Sequence, residues 1–186
     1  MNIFDWIVQL DVSILTWLQE VVRNDFLTPI FKLITSLSDF GWFWLFLSLV
    51  LLINKKTRKI GKMALASFLL SAIITNILIK PIIMRPRPFD FTTHLVSLIP
   101  EPFDFSFPSG HTTAAFSVAF ILWKYLDNKY SWLFIVLAAL IGFSRLYLGV
   151  HYPTDVFGGI LVGLVSSFLV SRYYMRKQEQ CGDHRD

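Results

Sequence analysis

The sequence predicts an all-α protein, an integral membrane bundle of about five to six helices with an amphipathic helix at its N-terminal end. Three observations predict it. Hydrophobic residues make up 54% of the 186, charged residues only 16%, and the mean hydropathy is +0.56; a soluble domain of this length is less apolar and about a quarter charged. Apolar runs near the ~20 residues needed to cross a bilayer recur along the chain, separated by short polar turns. The ionisable residues are concentrated at the breaks between those runs, where a membrane chain carries them for a use. The length suits one membrane-embedded domain, residues 1–178, followed by a polar tail, 179–186, expected to lack order.

In chain order, residues 3–22 mix Asp5, Gln9, Asp11 and Glu20 with Trp6, Leu10, Leu15, Trp17 and Leu18, an amphipathic helix that lies in the interface or makes a poor span. Residues 25–38, with Pro29, Lys32 and several hydroxyls, suit a second interfacial or half-buried helix. The run 41–53 is almost purely apolar but short for a span, so it is expected to borrow from the stretch before it. A basic turn follows at 54–59. Residues 60–84 form a clear span whose end Pro81 is expected to kink. Residues 85–108 read as a loop rich in Pro and Phe. Helix is expected again over 109–126, 130–149 and 153–174, the last carrying Gly158, Gly159 and Gly163 as close-packing positions. Cys181 is the only cysteine, which excludes an internal disulfide and a Cys-based zinc site. The N-terminus lacks the pattern of a cleaved signal peptide, so no processing is expected.

Reversal at each turn puts Lys80, Arg87, Ser109, His111, Arg145, His151 and Asp155 on one face. Lys55, Lys56, Arg58, Lys59, Lys62, Lys124, Lys129 and the tail cations fall on the other. By the positive-inside rule the turn 54–62 and the C-terminal tail are cytoplasmic, and the polar breaks face outward. The net charge of +4 lies in short loops and the tail rather than on a basic face, so nucleic acid is not an expected partner.

Three breaks carry chemistry. Lys80 and Arg87 flank a proline-broken turn; two cations there suit lipid head groups, or a clamp in which Arg gives a planar fork and Lys a point charge to phosphate. Arg85 between them is expected to contact lipid head groups. In Pro108-Ser109-Gly110-His111, Ser109 is a natural N-cap, Gly110 admits close backbone approach, and the free N–H groups of a helix start favour an oxyanion beside His111. In the third break Pro153 suits a first helical turn, and the spacing of His151 and Asp155 lets the carboxylate hold one imidazole N–H and leave the other nitrogen free. His94 is expected to be a plain loop residue, and His184 an idle one in the tail. No HExxH pattern and no carboxylate cluster suggests a metal site.

Together these residues resemble the type 2 phosphatidic acid phosphatase superfamily. Lys80, six residues and Arg87-Pro88 match its first motif. Pro108-Ser109-Gly110-His111 match the second, and Ser144-Arg145, five residues, His151, three residues and Asp155 the third. The motifs cover 80–155, and the first 40 residues carry no diagnostic feature. The resemblance implies a metal-independent, cofactor-free lipid phosphatase working through a phosphohistidine. It implies His151 as nucleophile, Asp155 as its orienting carboxylate and His111 as acid and base. Lys80, Arg87, Ser109, Gly110 and Arg145 would then hold the phosphate. The expected substrate is a membrane lipid phosphate, first undecaprenyl diphosphate, then phosphatidylglycerophosphate or phosphatidic acid. Two other classes fit less well: vanadate-dependent halide oxidation, whose members are largely soluble and bigger, and a non-catalytic head-group binder, which needs no nucleophile. Oligomeric state is open.

Overall fold

A computed structural model describes residues 3–182, and every regular element in them is helical. The helices are α1 (Ile3–Trp17), α2 (Leu27–Ser36), α3 (Trp42–Ile53), α4 (Arg58–Ile73), α5 (Lys80–Ile83), α6 (Pro88–Phe91), α7 (Gly110–Tyr125), α8 (Leu133–Tyr147) and α9 (Pro153–Gly182). Among the described residues three helical stretches are long and apolar enough to cross a membrane: Leu27–Ile53, Arg58–Phe91 and Pro153–Lys177. The first of these joins α2 to α3, as the shortness of 41–53 required.

Helix α7 is the middle of the bundle, packed on α3, α4, α8 and α9. Its Ala115, Val118, Ala119, Ile121 and Leu122 are buried with Trp44 of α3, Met63 and Phe68 of α4, and Ala138 and Ile141 of α8. The small residues of α9 set its approach to α7: a Cβ on Gly159 would come 2.9 Å from Ser109 O, and one on Gly163 2.9 Å from Phe116 Cβ. These are packing glycines.

Several expectations change in detail. The distortion near Pro81 lies before it: residues Ile74–Ile79 widen into a π-helical turn, and α5 then ends at Met84 with φ +48°. Pro81 has no N–H, and its ring crowds the carbonyl four residues back, so the ladder rearranges N-terminal to it. The expected loop 85–108 contains α6. Helix α9 runs past the expected end of order at 178 to Gly182; residues 183–186, with His184, lie outside the described residues.

The N-terminal helix is amphipathic in an unexpected sense. Trp6, Leu10 and Trp17 are exposed, while Asp11 is buried in line with Leu15 and Leu18. One acid, Asp11, faces the protein together with Leu15 and Leu18, while Trp6, Leu10 and Trp17 face away from it.

Candidate active site

The polar breaks converge. Lys80, Arg87, Gly110, His111, Arg145 and His151 all line one cavity of about 460 Å³, continued by apolar Phe68 and Ala114. Lys80 comes from the start of α5, just after the π turn. Arg87 follows the left-handed Met84 and caps α6. His111 is in the first turn of α7, Arg145 in the last turn of α8, and His151 in the link to α9. In that link Gly149 has φ +77°, a conformation that costs a glycine little, and it turns the chain so that Val150 and His151 point inward, both buried.

His151 is 1% exposed. Its Nδ1 lies 3.4 Å from Asp155 Oδ2 and 3.4 Å from Ser106 Oγ. Asp155 is itself over-held: Ser106 Oγ donates to Oδ2 at 2.5 Å, the Tyr152 amide to Oδ2 at 2.8 Å, and Arg85 Nη1 to Oδ1 at 2.6 Å. The Nδ1 side of the ring is thereby engaged, and Nε2, 3.4 Å from Arg87 Nη1, is the nitrogen on the side of the clamp. Burial pushes the His151 pKa down to about 3, the charges of Arg87 and Arg145 adding to it and Asp155 only partly opposing it. The imidazole is neutral at physiological pH, with a lone pair to give. In a sample labelled with ¹³C and ¹⁵N at histidine, this ring is expected to keep neutral-tautomer NMR shifts at pH 5, where an imidazole titrating near its usual ~6.5 is protonated.

Three cations line the same cavity. Arg87 is fixed by Nη1 to Val150 O at 2.7 Å and by Nε to Asp104 O at 2.9 Å. The Asp104 carboxylate accepts from Arg87 Nη2 at 2.5 Å and from Lys80 Nζ, so it bridges the two expected phosphate ligands. Partial burial works to raise the Asp104 pKa, but the hydrogen bond and charge of Lys80 and the charge of Arg87 outweigh it and hold it at about 2. Asp104 is therefore ionised at neutral pH and loses these contacts only as pH falls from about 4 toward 2. Arg145, 2% exposed, donates from Nη1 to Thr35 Oγ1 at 2.7 Å, and its buried Nε makes no hydrogen bond. A buried guanidinium N–H left without an acceptor is costly and suits an anion.

His111 Nε2 is 2.8 Å from Asp39 Oδ1, in the turn between α2 and α3, and Ser38 Oγ donates to the His111 carbonyl at 3.2 Å. Ser109 is the N-cap of α7, as expected, but its hydroxyl is buried and takes the Thr112 hydroxyl at 3.0 Å, so it shapes the helix start behind the cavity. His94 is not in the cavity wall; its carbonyl accepts from Gln19 Nε2 at 2.8 Å. The expectation for Arg85 is wrong. Rather than pointing to a surface, it bridges Asp11 (2.7 Å) and Asp155 (2.6 Å) with its guanidinium 3.9 Å above the Tyr152 ring. Two buried carboxylates without another cation attract it inward more strongly than a wet lipid surface would.

Sequence reasoning missed Asp11, Thr35, Asp39, Asp104 and Ser106. All are polar residues that act across long separations, and only Asp11 carries a local signal, its helical spacing with Leu15 and Leu18.

Comparison with known proteins agrees with this geometry. An undecaprenyl-diphosphatase of Sulfolobus acidocaldarius is 39% identical over 140 residues, covering 74% of this chain and 67% of the relative. Undecaprenyl-diphosphatase BcrC of Bacillus subtilis is 34% identical over 152 residues, covering 81% and 77%. The crystal structure of a transmembrane PAP2-type phosphatidylglycerolphosphate phosphatase from Bacillus subtilis superposes with a TM-score of 0.75 at 32% identity, covering 92% of this chain and 87% of that one. The family model described as the PAP2 superfamily matches residues 61–179, and its span includes all three polar breaks. With a buried histidine, its carboxylate and a cation clamp in the places the motifs require, the chain belongs to the PAP2 superfamily.

Proposed function

We propose that this multi-pass membrane protein hydrolyses undecaprenyl diphosphate to undecaprenyl phosphate. The observation that carries the reading is that His151 and His111 share one cavity with Lys80, Arg87 and Arg145. The Asp104 carboxylate on Lys80 and Arg87 occupies a position suited to phosphate oxygens. Both relatives named above as undecaprenyl-diphosphatases point to the polyprenyl substrate.

His151 Nε2 attacks the terminal phosphorus, forming a P–N bond as the bridging P–O bond breaks. His111 gives its proton to the departing lipid phosphate, then takes one from the water that cleaves phosphohistidine to inorganic phosphate and free His151. Lys80, Arg87, Arg145 and the amides at the start of α7, around Gly110, stabilise the equatorial oxygens through both steps. Asp155 and Ser106 keep the ring in register. No step requires a metal ion, and activity is expected to persist in EDTA.

Hydrolysis of undecaprenyl diphosphate, phosphatidylglycerophosphate and phosphatidic acid by pure protein, compared by kcat/KM, tests the substrate. The diphosphate is expected to lead. A lead for phosphatidylglycerophosphate is the second reading, favoured by the Bacillus subtilis phosphatase structure, and would replace the first. Asp104→Asn removes a carboxylate that competes with substrate for the clamp, and is expected to lower KM about two- to fivefold. A raised KM would assign Asp104 to substrate binding instead.

The site is proposed to face away from the cytoplasm. Lys124, Arg172 and Arg176 gather around one cleft at the far end of α7 and on α9, the cationic end that the positive-inside rule places in the cytosol. A membrane-impermeant thiol probe should then label a cysteine placed at Glu101 in intact cells and leave Cys181 unlabelled; the reverse pattern inverts the topology.

A further inference from the structure

Behind Asp155 lies a second set of contacts that the proposed reaction does not use directly. Arg85 donates from Nη1 to Asp155 Oδ1 and to Thr154 Oγ1, both at 2.6 Å, and from Nη2 to Asp11 Oδ2 at 2.7 Å. Asp11 also accepts the Thr154 amide on Oδ1 at 3.1 Å and the Thr154 hydroxyl on Oδ2. Thr154 is the second residue of α9, so a carboxylate from α1 caps the helix that carries Asp155. Asp11 is 1% exposed and Asp155 is fully buried. The Tyr152 ring stacks on the guanidinium and packs with Leu15 and Leu18 of the α1 segment. Asp11 lies outside the matched span 61–179.

We infer that Asp11 and Arg85 are positioning residues, through which the N-terminal helix sets the orientation of Asp155 and hence of the His151 ring. The physical reason is specific. Asp155 shares Oδ2 among Ser106, the Tyr152 amide and the imidazole, and among the described residues Arg85 alone holds Oδ1. Without the guanidinium Oδ1 loses its donor, and the carboxylate plane is set by the donors on Oδ2 alone, so the imidazole faces a less firmly oriented partner. Arg85 in turn needs Asp11. Its planar fork spans two carboxylates, and with one neutralised it has no reason to keep the plane that Asp155 requires. The outward face of α1 leaves Trp6, Leu10 and Trp17 exposed, a face that suits contact with a bilayer.

The inference rests on His151 being the nucleophile, and pre-steady-state phosphorylation separates the two. Wild type, Asp11→Asn, Arg85→Met and Arg85→Lys are purified in one detergent, checked for monodispersity and Tm, and quench-flowed against undecaprenyl diphosphate labelled in its terminal phosphate. Asp11→Asn and Arg85→Met are each expected to slow phosphoenzyme formation and kcat about 10- to 100-fold, the range found for residues that orient a functional ligand from behind, with KM changed less than about threefold. Arg85→Lys should recover only part of the loss, because it keeps the charge and not the fork. The double variant should be no slower than Arg85→Met alone, as a shared device requires. A role in folding alone would lower Tm and the active fraction but leave the phosphorylation rate of the folded fraction unchanged. Asp11→Asn keeps size and hydrogen-bonding capacity, and carries the test if Arg85→Met does not fold. Phosphorylation by Asp11→Asn and Arg85→Lys within about twofold of wild type overturns the inference, whereas absence of any phosphoenzyme in wild type overturns the nucleophile assignment beneath it.

Discussion

His151→Ala is expected to reduce kcat by about four orders of magnitude or more, with the protein still folded and still able to bind phosphate. Among the described residues the imidazole is the group best placed to attack, with Nε2 toward Arg87, whereas His111 is tied to Asp39 and Ser106 sits behind the ring on Asp155. Burial keeps this ring neutral, so on the proposed mechanism the loss is that of a nucleophile rather than of a cation. Lys80, Arg87 and Arg145 remain, and inorganic phosphate or vanadate should bind the variant within about tenfold of wild type. That combination, turnover lost and anion binding kept, separates removal of a nucleophile from collapse of the site. Equal phosphate release by wild type and variant would show that another group attacks phosphorus.

Arg145→Gln is the second large effect. A donor aimed at charge that develops in the transition state is worth about 2.7–4 kcal/mol, so kcat should fall about 10²- to 10³-fold. Arg145 differs from Lys80 and Arg87 in its partners. Those two already have Asp104 as a partner, whereas the buried Nε of Arg145 has none, and Thr35 takes only Nη1. Its fork enters at the last turn of α8, a place where a cation also meets the negative end of the helix. Arg145→Lys keeps the charge but cannot present a planar pair of donors, and should remain at least about tenfold below wild type. Steady-state kinetics with matched detergent and lipid fractions decides this. A variant affected in KM only would mean that Arg145 holds substrate and transition state alike.

The residues proposed to be catalytic were legible in the sequence for a physical reason. A charge in an apolar span is expensive, so Lys80, Arg87, Arg145 and Asp155 stood out against their surroundings, and helix caps at Ser109 and Pro153 told where His111 and His151 enter. The supporting half was hidden by the same logic. Asp11, Thr35 and Asp39 sit in N-terminal stretches already rich in polar residues, and each acts on a partner more than 70 positions away. Arg85 misled because an arginine at a membrane surface has an easy alternative in lipid head groups; its direction is set by Asp11, which no local pattern connects to it. The helix order was readable from apolar runs and turns. The π turn at Ile74–Ile79 was not, since it results from a clash between Pro81 and the turn before it.

The most direct measurement is capture of the covalent intermediate. Pure protein in EDTA is mixed with undecaprenyl diphosphate carrying ³²P in its terminal phosphate, quenched in alkali within milliseconds, digested and mapped by mass spectrometry. Base-stable, acid-labile label on the peptide containing His151, absent from His151→Ala and chased to inorganic phosphate by unlabelled substrate, is the expected result. Rapid phosphate release by wild type with no label on His151 at any quench time would contradict the phosphohistidine pathway.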